Sequence, residues 1–229
     1  NRNGLRTTYN PLPQPQKFCI FEKIYFSRPD SMMDGESLSA YRHRLGRKLA
    51  MNDRADDHDV IFADYVFGVP DSGTPAAIGY AEQLGLSYRP GIVKNRYSGR
   101  TFISPTQEMR DKKALLKYNI IKEYVTEQRV VLIDDSIVRG TTMRKLVRDL
   151  RDAGAVEVHV RITAPPIQSA CNYGIDTYSE DLIATKHNSL GIRQEIGADS
   201  LRFLSVYDVE QLAFTTTRQY CTDCFHKTL

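Results

Sequence analysis

Runs of apolar residues with the length of β-strands alternate with helix-like runs through the middle of this chain. The clearest unit starts at residues 129–133, where four consecutive apolar residues precede two aspartates, and it continues as a helical pattern over residues 141–153. Residues 65–84 repeat this order and are followed by Gly85, a residue typical of helix ends. Strands that alternate with helices indicate a parallel sheet with helices on both faces. The chain is therefore predicted to have an α/β fold.

The same patterns predict the individual elements. Helices are predicted over residues 37–51, 74–84, 106–125, 141–153, 179–188 and 191–196. Strands are predicted at residues 18–26, 65–69, 88–93, 129–133, 156–162 and 203–206. Residues 94–105 are predicted to form a long basic loop, and the proline-rich residues 1–17 a linker before one domain at residues 18–229. In the first helix Arg42 and Lys48 lie between the apolar positions, so they are expected on a solvated face.

The composition argues against several classes of function. Of the 229 residues, 41% are hydrophobic and 26% are charged, which is ordinary for a soluble globular protein. No run approaches the roughly 20 apolar residues of a membrane span, and the polar start has no signal-peptide core. The net charge of +3 is small, whereas chains that bind nucleic acid usually carry a clustered basic surface. We therefore expect a cytoplasmic protein whose partners include neither a membrane nor a nucleic acid.

The sequence VVLIDDSIVRGTT at residues 130–142 has the features of a loop that binds a sugar phosphate. Asp134 and Asp135 follow a wholly apolar strand, and ligands bind at the carboxyl ends of strands in open parallel sheets. Gly140 lets the backbone approach a phosphate at the N-terminus of the next helix, where N–H groups are unpaired. Hydroxyl donors in this loop are Ser136, Thr141 and Thr142. The two carboxylates can bind ribose hydroxyls or help to hold Mg²⁺, although two aspartates alone are also compatible with an ordinary turn.

Four strings occur in a fixed order along the chain: FEKIYFSRPDS, GVPDSGTPAAIGYA, GIVKNRYSGRTFISPTQ and VVLIDDSIVRGTT. The last is similar to the phosphoribosyl pyrophosphate signature of type I phosphoribosyltransferases. Together they resemble the transferase half of the glutamine amidophosphoribosyltransferase family, over residues 18–225. The resemblance implies a type I phosphoribosyltransferase fold with an irregular, cysteine-containing C-terminal segment. It also implies attack of ammonia on C1 of phosphoribosyl pyrophosphate, with loss of pyrophosphate, as the first step of de novo purine synthesis by a homo-oligomer.

The resemblance also implies roles for individual residues. Lys94, Arg96 and Arg100 match a loop that closes over the donor, where positive charge would stabilise the departing pyrophosphate. Magnesium is implied to bind near Ser72, Asp134 and Asp135. The residues implied to bind the donor are Asp71, Ser72, Gly73, Asp134, Asp135, Ser136, Arg139, Gly140, Thr141 and Thr142. Positioning and charge stabilisation are expected to dominate, because the reaction requires no covalent nucleophile.

Four cysteines form a second candidate site. Cys221 and Cys224 make a CxxC pair near the end of the chain, whereas Cys19 and Cys171 lie far away in sequence. In a cytoplasmic α/β protein such cysteines are more often metal ligands or free thiols than disulfides, and CxxC alone also fits a redox pair or half a zinc site. One branch of the resembled family holds a 4Fe-4S cluster with four cysteines at matching positions. The resemblance therefore implies a structural 4Fe-4S cluster here, with Zn²⁺ as the alternative.

The family's complete enzyme also carries an amino-terminal glutaminase domain, and nothing in this sequence matches it. The first residue is Asn, so we expect a cut or processed chain that uses ammonia but not glutamine. Two other functions remain open. A regulator could bind phosphoribosyl pyrophosphate as a signal, and a base-salvage phosphoribosyltransferase would share the DD signature. The regulator would need a DNA-binding module that is not visible here, and the salvage enzyme would not explain the four matched cysteines.

Overall fold

The computed structural model describes residues 17–55, 62–95, 118–175, 177, 181–213 and 219–227. The strands in chain order are β1 (Lys17–Cys19), β2 (Met32–Met33), β3 (Glu36–Ser37), β4 (Tyr65–Gly68), β5 (Ser87–Tyr88), β6 (Ile92–Lys94), β7 (Tyr118–Ile120), β8 (Arg129–Asp134), β9 (Glu157–Ile162), β10 (Ser200–Phe203) and β11 (Gln219–Cys221). The α-helices are α1 (Leu38–Arg54), α2 (Thr74–Leu84), α3 (Thr141–Asp152), α4 (Ile183–Lys186), α5 (Ser189–Ile196) and α6 (Val206–Ala213). A π-helical turn (Glu22–Phe26) and two 3₁₀ turns (Lys122–Tyr124 and Asp223–Phe225) complete the set.

The central sheet has five strands in the order β10-β9-β8-β4-β5, and every neighbouring pair is parallel. The four apolar residues of β8, from Val130 to Ile133, are all fully buried. Because successive side chains of a strand point to opposite faces, both faces of β8 are covered. Helices α1 and α2 pack together beside β4, whereas α3 packs on β9 and α5 on β10. The predicted α/β fold with a parallel, helix-covered sheet is confirmed.

Helices α1 and α2 approach each other closely because glycine lies at both contact points. A Cβ atom on Gly46 would stand 1.8 Å from the carbonyl oxygen of Ala76, and one on Gly79 would stand 2.1 Å from that of His43. Any side chain at either position would therefore force the helices apart.

A buried ionic network joins α1 to β9 and β10. Asp53, which is 6% exposed, accepts hydrogen bonds from Nε of Arg161 at 2.7 Å and from the Tyr80 hydroxyl at 2.5 Å. Its other carboxylate oxygen is 2.7 Å from Nε of Arg202. Arg161, which is fully buried, also donates to Oγ of Ser200 at 2.9 Å. Two positive charges therefore surround one negative charge inside the protein.

Several predicted elements agree with the structure, and α2 has the predicted bounds. The helix predicted at residues 106–125 is wrong where it can be compared, because residues 118–120 form β7 and pair with β6. The strand predicted at residues 88–93 is interrupted, since Pro90 has no N–H to donate, and β5 and β6 belong to different sheets. The strand predicted at residues 203–206 instead ends at Phe203, and the helix predicted at residues 179–188 is helical only in α4 among its described residues.

The strand predicted at residues 18–26 ends at Cys19 and gives way to the π-helical turn. Ile20 and Ile24 are both fully buried and lie four residues apart, which is a helical spacing. The apolar residues therefore face the core once per turn rather than by alternation. Of the predicted linker only Lys17 is described, so the linker and domain boundaries stay predictions. No helix among the described residues has the length and apolar character to cross a membrane.

Candidate active site

The loops that follow β4 and β8 meet at the point where the strand order of the sheet reverses. Gly68, the last residue of β4, is paired with Ile133 of β8, and the N–H of Val69 donates to the carbonyl of Ile133 at 2.9 Å. The chain leaves β4 toward β5 on one side and reaches β8 on the other. Ligands of open parallel sheets bind at such a switch point, beyond the carboxyl ends of the strands.

Asp135 is held between two serines at this point. The hydroxyls of Ser72 and Ser136 each donate to one of its carboxylate oxygens at 2.5 Å. The side chain of Asp134 accepts the N–H of Asp135 at 2.9 Å, and both aspartates are buried. Burial is the main cause that raises the pKa of Asp135, and the serine hydrogen bonds and the charge of Arg42 act in the opposite direction. The two loops are therefore joined through a single carboxylate.

A tight turn after β4 supplies the second wall. It contains Asp71 and Ser72 and has a cis peptide bond between Pro70 and Asp71. Nζ of Lys94, at the end of β6, donates to Asp71 at 3.1 Å. Gly73 is buried instead against β8, where a Cβ atom would stand 2.6 Å from the carbonyl oxygen of Ile133. The turn thus presents its acidic and hydroxyl side chains while its glycine packs on the sheet.

These loops line a cavity of about 860 Å³ that is open to solvent. The residues with a predicted role that line it are Asp71, Ser72, Lys94, Asp134, Asp135, Ser136, Arg139, Gly140, Thr141 and Thr142. The cavity therefore collects nearly every described residue that the sequence assigns to donor binding. Arg96 and Arg100, which are predicted to contribute to catalysis, lie outside the described residues.

The loop of residues 135–140, which the sequence predicts to bind a phosphate and which we call the phosphate loop, ends at α3. Gly140 has φ +79°, a left-handed conformation that favours glycine, and precedes the first residue of α3. Thr141 and Thr142 open that helix, so their N–H groups are at its positive end. Arg139 forms an ion pair with Asp181 at 2.6 Å across the cavity. A concentration of N–H and hydroxyl donors with a nearby arginine suits a phosphate group.

Among the cavity residues that were given no role by the sequence are three aromatic residues, Tyr25, Phe26 and Tyr118. Tyr118 of β7 is the cross-strand partner of Lys94, and burial, followed by the charge of Asp134, raises its pKa. Tyr25 and Phe26, in the π-helical turn, line the cavity and are 42% and 43% exposed. Nothing in the local pattern distinguished these aromatic residues from ordinary core positions.

Arg42 is the clearest correction to the sequence interpretation. It is only 2% exposed and lines the cavity, although it was expected on a solvated face of α1. Its guanidinium donates to the carbonyls of Lys23, Tyr25 and Ser27 at 3.0, 3.0 and 2.7 Å. A signal was available: Arg42 lies four residues after Leu38, on the helix face that the apolar residues define.

The four cysteines gather where the two ends of the described chain meet. Strands β1 and β11 are parallel, with Cys19 paired with Cys221. Burial, followed by the charges of Cys19, Cys221 and Cys171, raises the pKa of Cys224 to about 12. Cys224 therefore lies within electrostatic range of the other three cysteines.

The loop around Cys171 is fixed to the same region. The N–H of Tyr173 donates to Sγ of Cys171 at 3.3 Å, and its hydroxyl donates to Asp223 at 3.3 Å. All four cysteines are free and half-buried. In the part of the chain that the structure describes, no group of three or more Cys, His, Asp or Glu side chains is arranged to hold a metal ion.

Known proteins are similar to this chain in both sequence and fold. A model of the phosphoribosyl transferase domain family matches residues 43–172. The amidophosphoribosyltransferase of Synechococcus elongatus is 50% identical over 220 residues, which are 96% of this chain and 43% of that protein. The amidophosphoribosyltransferase of Bacillus subtilis is 49% identical over 207 residues, 90% of this chain and 42% of that protein.

Two solved structures are also similar to this chain. The structure of an allosteric regulatory enzyme of purine biosynthesis matches with a TM-score of 0.81 and 47% sequence identity. The match covers 93% of this chain and 46% of that enzyme's chain. The glutamine phosphoribosylpyrophosphate amidotransferase of B. subtilis, complexed with ADP and GMP, has a TM-score of 0.81 at 45% identity and covers 98% and 49%. The predicted type I phosphoribosyltransferase fold and the resemblance to amidophosphoribosyltransferases are confirmed. The chain spans less than half the length of these relatives. Because the family model matches more than half of its residues, the chain belongs to the phosphoribosyl transferase domain family.

Proposed function

We propose that this chain transfers an amino group from ammonia to C1 of phosphoribosyl pyrophosphate. The products are 5-phosphoribosylamine and pyrophosphate, and the reaction is the first step of de novo purine synthesis. The observation that carries the proposal is the cavity at the strand switch point, which brings the serine-held carboxylate of Asp135 together with the N-terminus of α3. The relatives named amidophosphoribosyltransferase support this acceptor over a nucleobase.

Three groups of cavity residues would bind three different parts of the donor. The N–H groups of Thr141 and Thr142, together with Arg139, would bind the 5-phosphate. Asp134 and Asp135 would accept hydrogen bonds from the two ribose hydroxyls, which fixes the sugar ring. The turn at Asp71 and Ser72, with Lys94 beside it, would hold the pyrophosphate.

Charge stabilisation follows from the same arrangement. As the bond from C1 to pyrophosphate breaks, negative charge accumulates on the leaving group and positive charge on the sugar. Lys94 lies where it would stabilise the first, and the carboxylates of Asp134 and Asp135 would stabilise the second. Arg96 and Arg100 belong to the same proposal as further cations of the leaving-group side. The acceptor nitrogen loses its extra proton after attack, and no general base is assigned.

The oxygen-rich side chains Ser72, Asp134 and Asp135 fit Mg²⁺, which proteins usually bind through one or two carboxylates together with substrate phosphates. The three lie around one point, because Ser72 donates to Asp135 and Asp134 accepts its N–H. When bound, Mg²⁺ would neutralise charge on the pyrophosphate and so make it a better leaving group.

The choice of nitrogen donor tests the function directly. A protein of residues 1–229 is expected to form phosphoribosylamine from phosphoribosyl pyrophosphate, Mg²⁺ and ammonia, and to form none from glutamine. The reason is that no part of this sequence matches a glutaminase domain, which would release ammonia from glutamine. Product formation with each nitrogen source, measured at pH values where ammonia is unprotonated, checks this expectation.

The same assay separates the other functions. Turnover of free nucleobases in place of ammonia would favour a salvage enzyme. Tight donor binding without any turnover would favour a regulator. Robust glutamine-dependent activity of residues 1–229 would contradict the assignment of the nitrogen source.

We further propose that Cys19, Cys171, Cys221 and Cys224 hold a 4Fe-4S cluster. The paired strands β1 and β11 and the electrostatic proximity of the four thiols support a shared site. In a 4Fe-4S cluster each thiolate binds a different iron, so its ligands stand farther apart than those of one zinc ion. Four cysteine thiolates suit a 4Fe-4S cluster, and Zn²⁺ is the alternative. Its role would be structural, since the reaction transfers no electrons.

Metal analysis of anaerobically purified protein tests the cluster. We expect a brown protein with about four iron and four sulfide per chain. Cys224→Ser should lose the colour and lower the midpoint of thermal unfolding, because metal binding contributes to folding stability. Ser169→Ala, a change at a nearby residue that also contacts the Asp223–Phe225 turn, is the control and should keep the iron. A colourless protein that contains zinc would contradict the proposal.

In the cell we expect this chain to act in the cytoplasm within a homo-oligomer and together with a glutaminase domain. The ammonia that the proposed reaction needs supports the association with a glutaminase domain. The mass of the native complex checks the homo-oligomer, and the sequence encoded next to these residues checks the glutaminase domain.

A further inference from the structure

The π-helical turn (Glu22–Phe26) forms one wall of the cavity and is held by an unusual contact. The last carbonyls of any helix have no partner within the helix, and burying them unpaired is costly. Here the carbonyls of Lys23, Tyr25 and Ser27 all accept from the one guanidinium of Arg42. One buried side chain of α1 therefore fixes the end of this turn at three points.

Arg42 also lies close to Asp135 in the cavity. Arg42 lines the cavity together with Asp135, and the negative charge of Asp135 acts on its guanidinium. Arg42 therefore contacts the backbone of the aromatic turn and also interacts electrostatically with Asp135. Its planar fork of N–H groups can bind three carbonyls in fixed directions, which a flexible lysine cannot reproduce.

The wall itself is apolar. Phe21 and Phe26 pack edge to face with ring centroids 5.2 Å apart, and Tyr25 packs on both rings. Tyr25 and Phe26 are partly exposed to the cavity, so their positions determine how much water can enter on that side.

We propose that Arg42 is a positioning residue for the transfer reaction: by fixing the aromatic wall, it keeps water away from C1 of the bound donor. The inference rests on the proposed function. Water is the competing nucleophile. Its oxygen would bond to C1, the C1–O bond to pyrophosphate would break with its electron pair leaving on pyrophosphate, and the spare proton would go to solvent. The product would be ribose 5-phosphate instead of phosphoribosylamine.

The test measures how the donor is partitioned between the two products. The full natural chain is compared with Arg42→Lys, Arg42→Met and, as a matched control on the exposed face of α1, Arg47→Met. Pyrophosphate release and phosphoribosylamine formation are measured together at saturating donor, Mg²⁺ and ammonia. We expect the fraction of donor hydrolysed to rise about tenfold or more in Arg42→Met, to rise less in Arg42→Lys, and to stay unchanged in Arg47→Met. A loss of folded protein lowers both products equally, so this fraction reports on the wall and not on stability.

Amide hydrogen exchange of the turn gives a second measurement that does not depend on catalysis. Exchange at residues 22–27 should be faster in Arg42→Lys and unchanged in Arg47→Met. If Arg42→Met does not fold, Arg42→Lys decides the question by the same two measurements. Wild-type partitioning in folded Arg42 variants would overturn the inference. If the unchanged chain forms no phosphoribosylamine, the proposed function fails, and slow exchange in Arg42→Lys would then separately refute the role of Arg42 in fixing the wall.

Discussion

Replacing Asp135 with asparagine is expected to weaken the binding of phosphoribosyl pyrophosphate by about 100-fold or more. Both carboxylate oxygens of Asp135 already accept hydrogen bonds, from Ser72 and Ser136, so the group is fixed before the donor arrives. Asparagine has the same size but lacks the charge, and only one of its two polar atoms accepts hydrogen bonds. Calorimetric titration of the donor in the presence of Mg²⁺ measures the change, and Asp135→Ala should bind at least as weakly.

The same substitution is expected to leave the fold intact. Because burial raises the pKa of Asp135, its charged form is less favourable in the folded protein than in the unfolded chain. The stability linked to such a group is present below its unfolded pKa and is lost as the pH rises through its folded pKa. At neutral pH the amide should therefore unfold at a temperature no lower than wild type. Asp152→Asn, at an exposed position of α3, is the control, and unchanged donor affinity in Asp135→Asn would remove the central assignment.

Replacing Asp53 with asparagine is expected to reduce the free energy of unfolding by about 3–5 kcal/mol, a large part of the stability of a domain. The change leaves Arg161, which is fully buried, and Arg202 without their shared carboxylate. An unpaired buried charge costs far more than the loss of an exposed ion pair. Chemical denaturation measures the difference.

The matched control is Asp30→Asn, which breaks the exposed ion pair between Arg28 and Asp30. That pair is fully solvated on the surface, so its loss should leave the unfolding midpoint unchanged. A loss at Asp53 no larger than the loss at Asp30 would show that the buried network does not stabilise the fold. Because Asp53 lies on α1 and not in the cavity, donor binding by the folded fraction of Asp53→Asn should be retained.

These two aspartates illustrate different uses of burial. Asp53 is surrounded by cations and joins α1 to the sheet, whereas Asp135 is held mainly by neutral hydroxyls at the mouth of the cavity. A carboxylate without a strong cationic partner is available to a ligand. A cation or a sugar hydroxyl that enters the cavity would therefore be a favourable partner for the Asp135 carboxylate.

The family relationship limits what the site alone can do. The chain spans less than half the length of the curated relatives. The cavity carries the proposal of a donor site and a leaving-group site. The nitrogen source and the cluster are separate hypotheses, and each has its own measurement above.

Local chemistry was enough to predict the centre of the molecule. The apolar run before Asp134, the glycine at position 140 and the helix that starts at Thr141 all depend on residues close in sequence. Helix α2, between the turn at Ser72 and Gly85, was predicted for the same reason. The residues of the phosphate loop could be named from the sequence because one short segment carries its strand, its loop and its helix start.

What only the tertiary structure decided depends on contacts between distant residues. The pairing of β1 with β11 joins Cys19 to Cys221, and the pairing of β6 with β7 makes a strand where the local pattern favoured a helix. Arg42 became a buried residue because a neighbouring turn offered three carbonyls that needed a donor. Sequence periodicity reports which face of an element is apolar, but it does not report which polar groups another segment brings to that face. The sequence by itself therefore determined the sheet and its phosphate loop, and the packing of distant segments decided the walls around them.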